Sequence, residues 1–268
     1  MLSRMKKLSS LGSLFVLLLS VCGNVMAHDT FIMPEKFRVS KGETVKIGFH
    51  SADAFPESTG APKRLQEPSV HTSKGRTPVT LSEDGKRWAG NVTVDESGYV
   101  IVTAINAAAT APMKPNEFLE YVKEEGLDHV VQARIEKGEA DKAANERYTM
   151  YPKSLVLVGE PNDGYKRVAG LPIEIVPEKD PYSLKRGESL PVRVLFKGAP
   201  ARGVQVMAAS TLEGAAKNKS VGKTDAQGRI SIPVTPGQWR LHTIHMERTN
   251  DPKAEWESFW ATLTFEVR

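Results

Sequence analysis

Thr44-Val45-Lys46-Ile47-Gly48-Phe49 alternates strictly, and a period of two commits a segment to a strand with one buried face. Val45, Ile47 and Phe49 share that face. The theme returns at residues 88–94 and 98–104, around an Asp95-Glu96-Ser97-Gly98 turn, and again at 153–158. A second set of strands is predicted at 190–196, 204–209, 229–234, 238–246 and 259–267. Its turns are Thr224-Asp225-Ala226-Gln227-Gly228 and Pro236-Gly237. Short strands separated by Gly, Pro and Asp turns predict β-sandwiches.

The period changes at 115–148. Phe118, Leu119 and Val122, then Val130, Val131 and Ile135, fall at helical spacings among Glu, Lys, Ala and Arg. Two or three short helices broken at Gly126 and Gly138 are predicted there. Residues 172–181 hold three prolines and read as an interdomain link. The expected architecture is mainly β: a sandwich over 28–178 with a helical insertion at about 115–150, and a second sandwich over 179–268.

Residues 1–27 read as a cleavable secretory signal. Arg4, Lys6 and Lys7 make a basic start, an apolar stretch runs over 11–21, and Val25-Met26-Ala27 closes it. Cys22 follows Leu19-Ser20-Val21, and the bulky valine before it argues against a lipoprotein attachment site. Cleavage after Ala27 removes three positive charges and no acids, so the formal charge falls from +4 to about +1. That balance gives no support for binding nucleic acid or an anionic membrane. The single cysteine leaves with the signal, so no disulfide, thiolate ligand or thiol nucleophile is expected in the exported chain. A periplasmic destination follows.

Cleavage would make His28 the first residue and set a free α-amine beside its imidazole, a pairing that chelates transition metals. Without cysteine, such a site draws on imidazole, carboxylate or Met sulfur. His50 ends the alternating strand opposite Phe49 and enters a loop with Asp53 and Glu57, a plausible ligand neighbourhood. His71 and His129 lie in polar surroundings and read as surface residues. His242 and His245 fall in one strand, where positions three apart face opposite sides. Glu247 shares the face of His245, which makes His245 the stronger candidate; His242 shares the other face with Ile244 and Met246. The expected metal donors are thus His28, His50 and His245, with Asp29, Asp53 and Glu247 nearby. No His-Glu-x-x-His, Gly-x-Ser-x-Gly or phosphate-cradling loop occurs, so the chain is read as a non-enzyme. Trp239, Trp256, Phe259 and Trp260 form an aromatic zone that suits either core packing or a sugar platform.

Several segments together resemble a family. They are Ala27-His28-Asp29, His50-Ser51-Ala52-Asp53-Ala54-Phe55-Pro56-Glu57-Ser58, Glu124-Glu125-Gly126-Leu127 and Glu146-Arg147-Tyr148. Further on come Gly170-Leu171-Pro172-Ile173-Glu174-Ile175-Val176-Pro177, Thr224-Asp225-Ala226-Gln227-Gly228, His245-Met246-Glu247-Arg248 and residues 256–265. In their order over nearly the whole exported chain they resemble bacterial periplasmic proteins of an uncharacterised-domain family associated with nickel and cobalt uptake. The resemblance implies Ig-like or transthyretin-like sandwiches and a nickel or cobalt ion as ligand. The implied partner is an outer-membrane receptor or inner-membrane transporter. Zinc and copper also suit the donors, and the Irving–Williams order favours copper at nitrogen-rich sites. The chain departs from the family at Phe31, where a Trp is common, and in having no apolar span after the signal. Two alternatives stand beside metal binding: an adaptor module for an envelope receptor or glycan, and a copper monooxygenase built on an N-terminal histidine.

Overall fold

The structure, a computed structural model, describes residues 28–185, 187–214 and 216–268. The expected signal lies outside the described residues. Eight strands come first: β1 (Asp29–Pro34), β2 (Arg38–Val39), β3 (Thr44–Ala52), β4 (Leu65–Thr72), β5 (Gly75–Pro78), β6 (Ser82–Asp84), β7 (Arg87–Thr93) and β8 (Gly98–Met113). Helices α1 (Pro115–Glu124) and α2 (Asp128–Glu136) follow, then β9 (Ala144–Val158). The rest is β10 (Ile173–Pro177), β11 (Ser189–Phe196), β12 (Ala199–Pro200), β13 (Gln205–Ser210), β14 (Lys219–Lys223), β15 (Arg229–Pro233), β16 (Gly237–Arg248) and β17 (Trp256–Val267). The expected mainly β fold, two sandwiches with a short helical insertion, is what forms. Among the described residues no helix is long and apolar enough to cross a membrane.

The two sandwiches share one wall. A nine-stranded sheet runs β14-β13-β16-β17-β9-β8-β4-β5, with β2 also on β9. Its centre is the parallel pair β17–β9, from Trp256 opposite Glu146 to Thr264 opposite Ser154. Over one part lies the sheet β1-β3-β7-β6. Val45, Ile47 and Phe49 of β3 pack there on Val100, Val102, Val156 and Val158, as the alternation requires. Against the other lies the sheet of β10, β11, β12 and β15, where Ile173, Ile175 and Val192 meet Leu241, Leu263 and Phe265. The segment expected as a proline-rich link therefore holds β10, a fully buried strand paired with β11. Its apolar Ile173, Ile175 and Val176 outweigh the prolines, which sit at positions a strand terminus or edge tolerates.

The helical insertion covers the face of the large sheet that alternates with this second core. Phe118, Tyr121, Val122, Leu127 and Val130 pack on Met150, Ile244, Met246, Trp256 and Trp260. Phe118, Tyr121, Val122 and Glu125 follow the i, i+3, i+4, i+7 spacing, so the apolar stripe of α1 ends on an inward carboxylate. Gly126 breaks the helix with φ +66°, and a Cβ there would come 2.7 Å from Gln205 Oε1. Gln205 Nε2 donates to Glu124 O at 2.7 Å, and Lys223 Nζ donates to Gly126 O at 2.8 Å. These bonds fasten the end of α1 to β13 and β14.

Beside the helices, β1 crosses the same face. One edge of β1 pairs with β3; carbonyls on the other accept side-chain bonds from the large sheet. Thr262 Oγ1 donates to Thr30 O at 2.8 Å, and Thr264 Oγ1 donates to Ile32 O at 2.5 Å. An open strand edge is thereby satisfied by two buried hydroxyls.

Candidate functional site

Where β1 and the helical insertion face each other across the large sheet they leave a cavity of about 120 Å³. The large sheet supplies Glu146, Tyr148 and Trp260 to its walls, and α1 supplies Tyr121 with Glu124 and Glu125 beside its C-terminus. On the β1 side stand Asp29 and Asp53, closed off by Lys217 and Asn218 ahead of β14. Met113 and Met207 fill the remaining apolar wall.

The β1 side is a chain of charges. Asp29, on the first strand, ion-pairs through Oδ1 with His242 Nδ1 at 2.9 Å and through Oδ2 with Arg240 at 3.0 Å. Asn218 Nδ2 donates to the same carboxylate at 2.8 Å. On its far side His242 Nε2 reaches Glu125 Oε2 at 3.2 Å. Burial alone would push the imidazole down, but the Asp29 and Glu125 carboxylates outweigh it and hold His242 up at about 10. Burial likewise works to raise Asp29; the His242 and Arg240 charges outweigh it and hold the carboxyl well below its ordinary range. Arg240 is fully buried, over the rings of Phe31 at 5.1 Å and Phe55 at 5.6 Å. Its guanidinium also donates to Asp53 O at 3.1 Å, which sets the loop after β3 at the cavity mouth.

The floor carries a second network. Glu146 Oε1 accepts from Tyr121 Oη at 2.9 Å and from the Ser258 hydroxyl, while Trp260 Nε1 donates to Ser258 Oγ at 2.8 Å. Burial raises Glu146 to about 7, against the lowering effect of these hydrogen bonds. Tyr148 stands beside it, its hydroxyl accepting from Arg64 at 3.2 Å.

Of the expected donors, the structure brings together two separate pairs, His28 with Asp53 and, on the far face of the sheet, His245 with Glu247 at 3.9 Å. His28 Nδ1 lies 2.7 Å from Asp53 Oδ1, both side chains half open to water, and of the two Asp53 lines the cavity. Asp29 lines the same cavity, but its oxygens are taken by His242, Arg240 and Asn218. His50 is not with them. Its ring is buried and stacked on Phe31 at 5.3 Å, and neither nitrogen has a partner. Burial, and then the nearby Arg87, push it down to about 4. The expected closeness of His50 to Asp53 and Glu57 fails because β3 continues to Ala52, which keeps His50 in the strand, opposite Phe31 of β1 and stacked on its ring. His245 and Glu247 face the opposite side of β16 from His242. His245 packs on Phe196 at 4.0 Å, and Glu247 pairs with Lys197 at 2.8 Å. Among the described residues no group of three or more His, Cys, Asp or Glu could hold a metal ion.

Arg240, Glu125 and Glu146 are site residues that the sequence reading does not name as candidates, and His242 is the one it ranks below His245. Glu125 and Glu146 do fall in segments quoted above for the family resemblance. No curated protein matches the chain. Among solved structures, the D0-D1 domain of intimin is 15% identical over 88% of this chain and 97% of its own, with a TM-score of 0.22. The Escherichia coli adhesin FdeC is 14% identical over 91% and 65%, at 0.24. A Salmonella alpha-2-macroglobulin reacted with methylamine is 12% identical over 89% and 15%, also at 0.24. The chain thus spans about two thirds of the second and a small part of the third, and at such TM-scores none bears on what it does. The model of one family, the domain of unknown function DUF4198, matches residues 25–247, and the chain belongs to that family.

Proposed function

We propose that the protein is an extracytoplasmic binding protein for a transition-metal cation, nickel or cobalt first, with zinc and copper as competing ions. The ion sits at the cavity mouth on His28 and Asp53 and passes onward to an outer-membrane receptor or inner-membrane transporter. The observation that carries this reading is the 2.7 Å approach of His28 Nδ1 to Asp53 Oδ1 at a rim lined with carboxylates. Adjacent ligands around a metal with bonds of about 2.1 Å stand roughly 3 Å apart, so these two atoms approximate one edge of a coordination shell. An ion pair this exposed contributes only about 0–1 kcal/mol to stability, which leaves both groups free to take a cation at little loss. Nδ1 is also the ring nitrogen that closes a six-membered chelate with histidine's own α-amine. Removal of residues 1–27 would free that amine and supply the third donor that the described residues lack. His50, His245 and Glu247 are outside this donor set.

Titration of the processed chain under metal competition tests it. His28→Ala, Asp53→Asn and a form with one extra residue ahead of His28 are each expected to bind at least about tenfold more weakly, the loss of one donor from a small shell. Equal affinity in the extended form removes the amine from the site. Equal affinity in all three favours an adaptor role without metal.

A further inference from the structure

Inward of the His28–Asp53 pair the cavity becomes a chamber whose chemistry differs from its mouth. Its 120 Å³ is close to the roughly 150 Å³ of an engineered protein cavity that admits benzene. Its floor is aromatic. Tyr121 lies nearly parallel to Trp260 with ring centres 6.0 Å apart, and Tyr148 tilts against the same indole at 6.2 Å. Aromatic faces are the negative ends of ring quadrupoles and attract cations. The one carboxylate set among these rings is Glu146, 2% exposed and held by Tyr121 and Ser258.

Two cations already meet the aromatic floor: Arg64 stands 5.4 Å from the Tyr148 ring centre, and His242 packs edge-on against Trp260 at 5.5 Å. Asp29 is matched by Arg240 and His242, and His242 also serves Glu125. Among the described residues of the lining, Lys217 is the one Lys or Arg, and it is exposed. An anionic ligand would meet carboxylates here. A neutral ligand would leave Glu146 to take up a proton, which its burial already favours, whereas a cation gives its charged form a partner.

We propose that this chamber binds a small organic cation, an ammonium group seated against Trp260 and Tyr121 with Glu146 as its counter-charge. The adaptable Met113 side chain closes over its apolar substituents. The site goes beyond the metal reading and does not rest on it, since the metal is held at the mouth by residues the chamber does not use.

The test is an NMR titration of the processed full chain with choline, with its neutral isostere 3,3-dimethyl-1-butanol, and with nickel chloride alone. Choline is expected to bind at least about tenfold more tightly than the alcohol, the margin a desolvated cation–π contact supplies. Its N-methyl protons should show contacts to the Tyr121 and Trp260 rings in the unmodified protein. Glu146→Gln should weaken choline about tenfold and leave nickel binding unchanged; His28→Ala should do the reverse. Equal affinity for the two isosteres overturns the proposal. So does choline binding without contacts to those rings, which requires no variant to fold.

Discussion

His242 is protonated in the fold because two carboxylates, Asp29 and Glu125, reach the two nitrogens of its buried ring. A ring held up at about 10 binds its proton more tightly folded than unfolded. The stability this contributes is fully present below about pH 6.5 and is lost as pH rises through about 10. Asp29 has the opposite sign: its contribution is present above about pH 3.8 and disappears as acid protonates it. His242→Gln is therefore expected to cost about 3–5 kcal/mol near pH 6, the usual result of removing one partner from a buried ion pair. That difference should shrink towards zero by pH 10. Urea unfolding of both proteins at pH 6, 8 and 10 reads it, and a difference independent of pH would assign the effect to packing. The parity of β16 was legible from the residues, since it correctly divided His242 from His245. Which face would meet the helices was not. Glu247 does lie 3.9 Å from His245, but its nearer partner is Lys197 at 2.8 Å, a residue fifty positions away that only tertiary folding brings near.

At the scale of elements, β1 depends on the hydroxyls beneath it as much as on its pairing with β3. Thr264 is fully buried and close in shape to valine, so Thr264→Val removes a donor while keeping volume. The Ile32 carbonyl would then lack its bond on that side, and a loss of about 1–3 kcal/mol is expected in chemical unfolding. An unchanged midpoint would show that the carbonyl finds another partner. Because β1 places Asp29 in the cavity wall, the same variant should also loosen the cavity mouth. Elements with a strong period were readable from the chain: β3 by its alternation, and α1 and α2 by their spacings and glycine breaks. β10 reads as a linker in the sequence, because prolines at 172, 177 and 181 are the loudest local signal and the burial of Ile173 and Ile175 comes from partners elsewhere in the chain. The threonines of β17 gave no local sign of their role, since a buried threonine is recognisable only once the carbonyl it serves is known.

For the whole molecule, the parallel β17–β9 pair joins what the sequence divides at residue 178. The cavity takes Glu146 and Tyr148 from β9 and Trp260 from β17, so both halves must be present for it to exist. Residues 28–178 and 179–268 expressed apart are expected not to reach native structure, because each leaves a long apolar edge open in the middle of the sheet. The intact chain should unfold in one calorimetric transition whose enthalpy agrees with the van't Hoff value. Two resolved transitions, or a folded fragment, would show that the sandwiches stand independently. No local pattern foretold this joining, since strand pairing across more than a hundred residues leaves no mark on either strand alone. The same pairing sets a clock. β17 is the most C-terminal strand described, yet it occupies the centre of the sheet, so residues ahead of it can collapse but cannot close the large sheet. A chain made or delivered N-terminus first would remain unlocked, and open to holding factors or proteases, until β17 arrived.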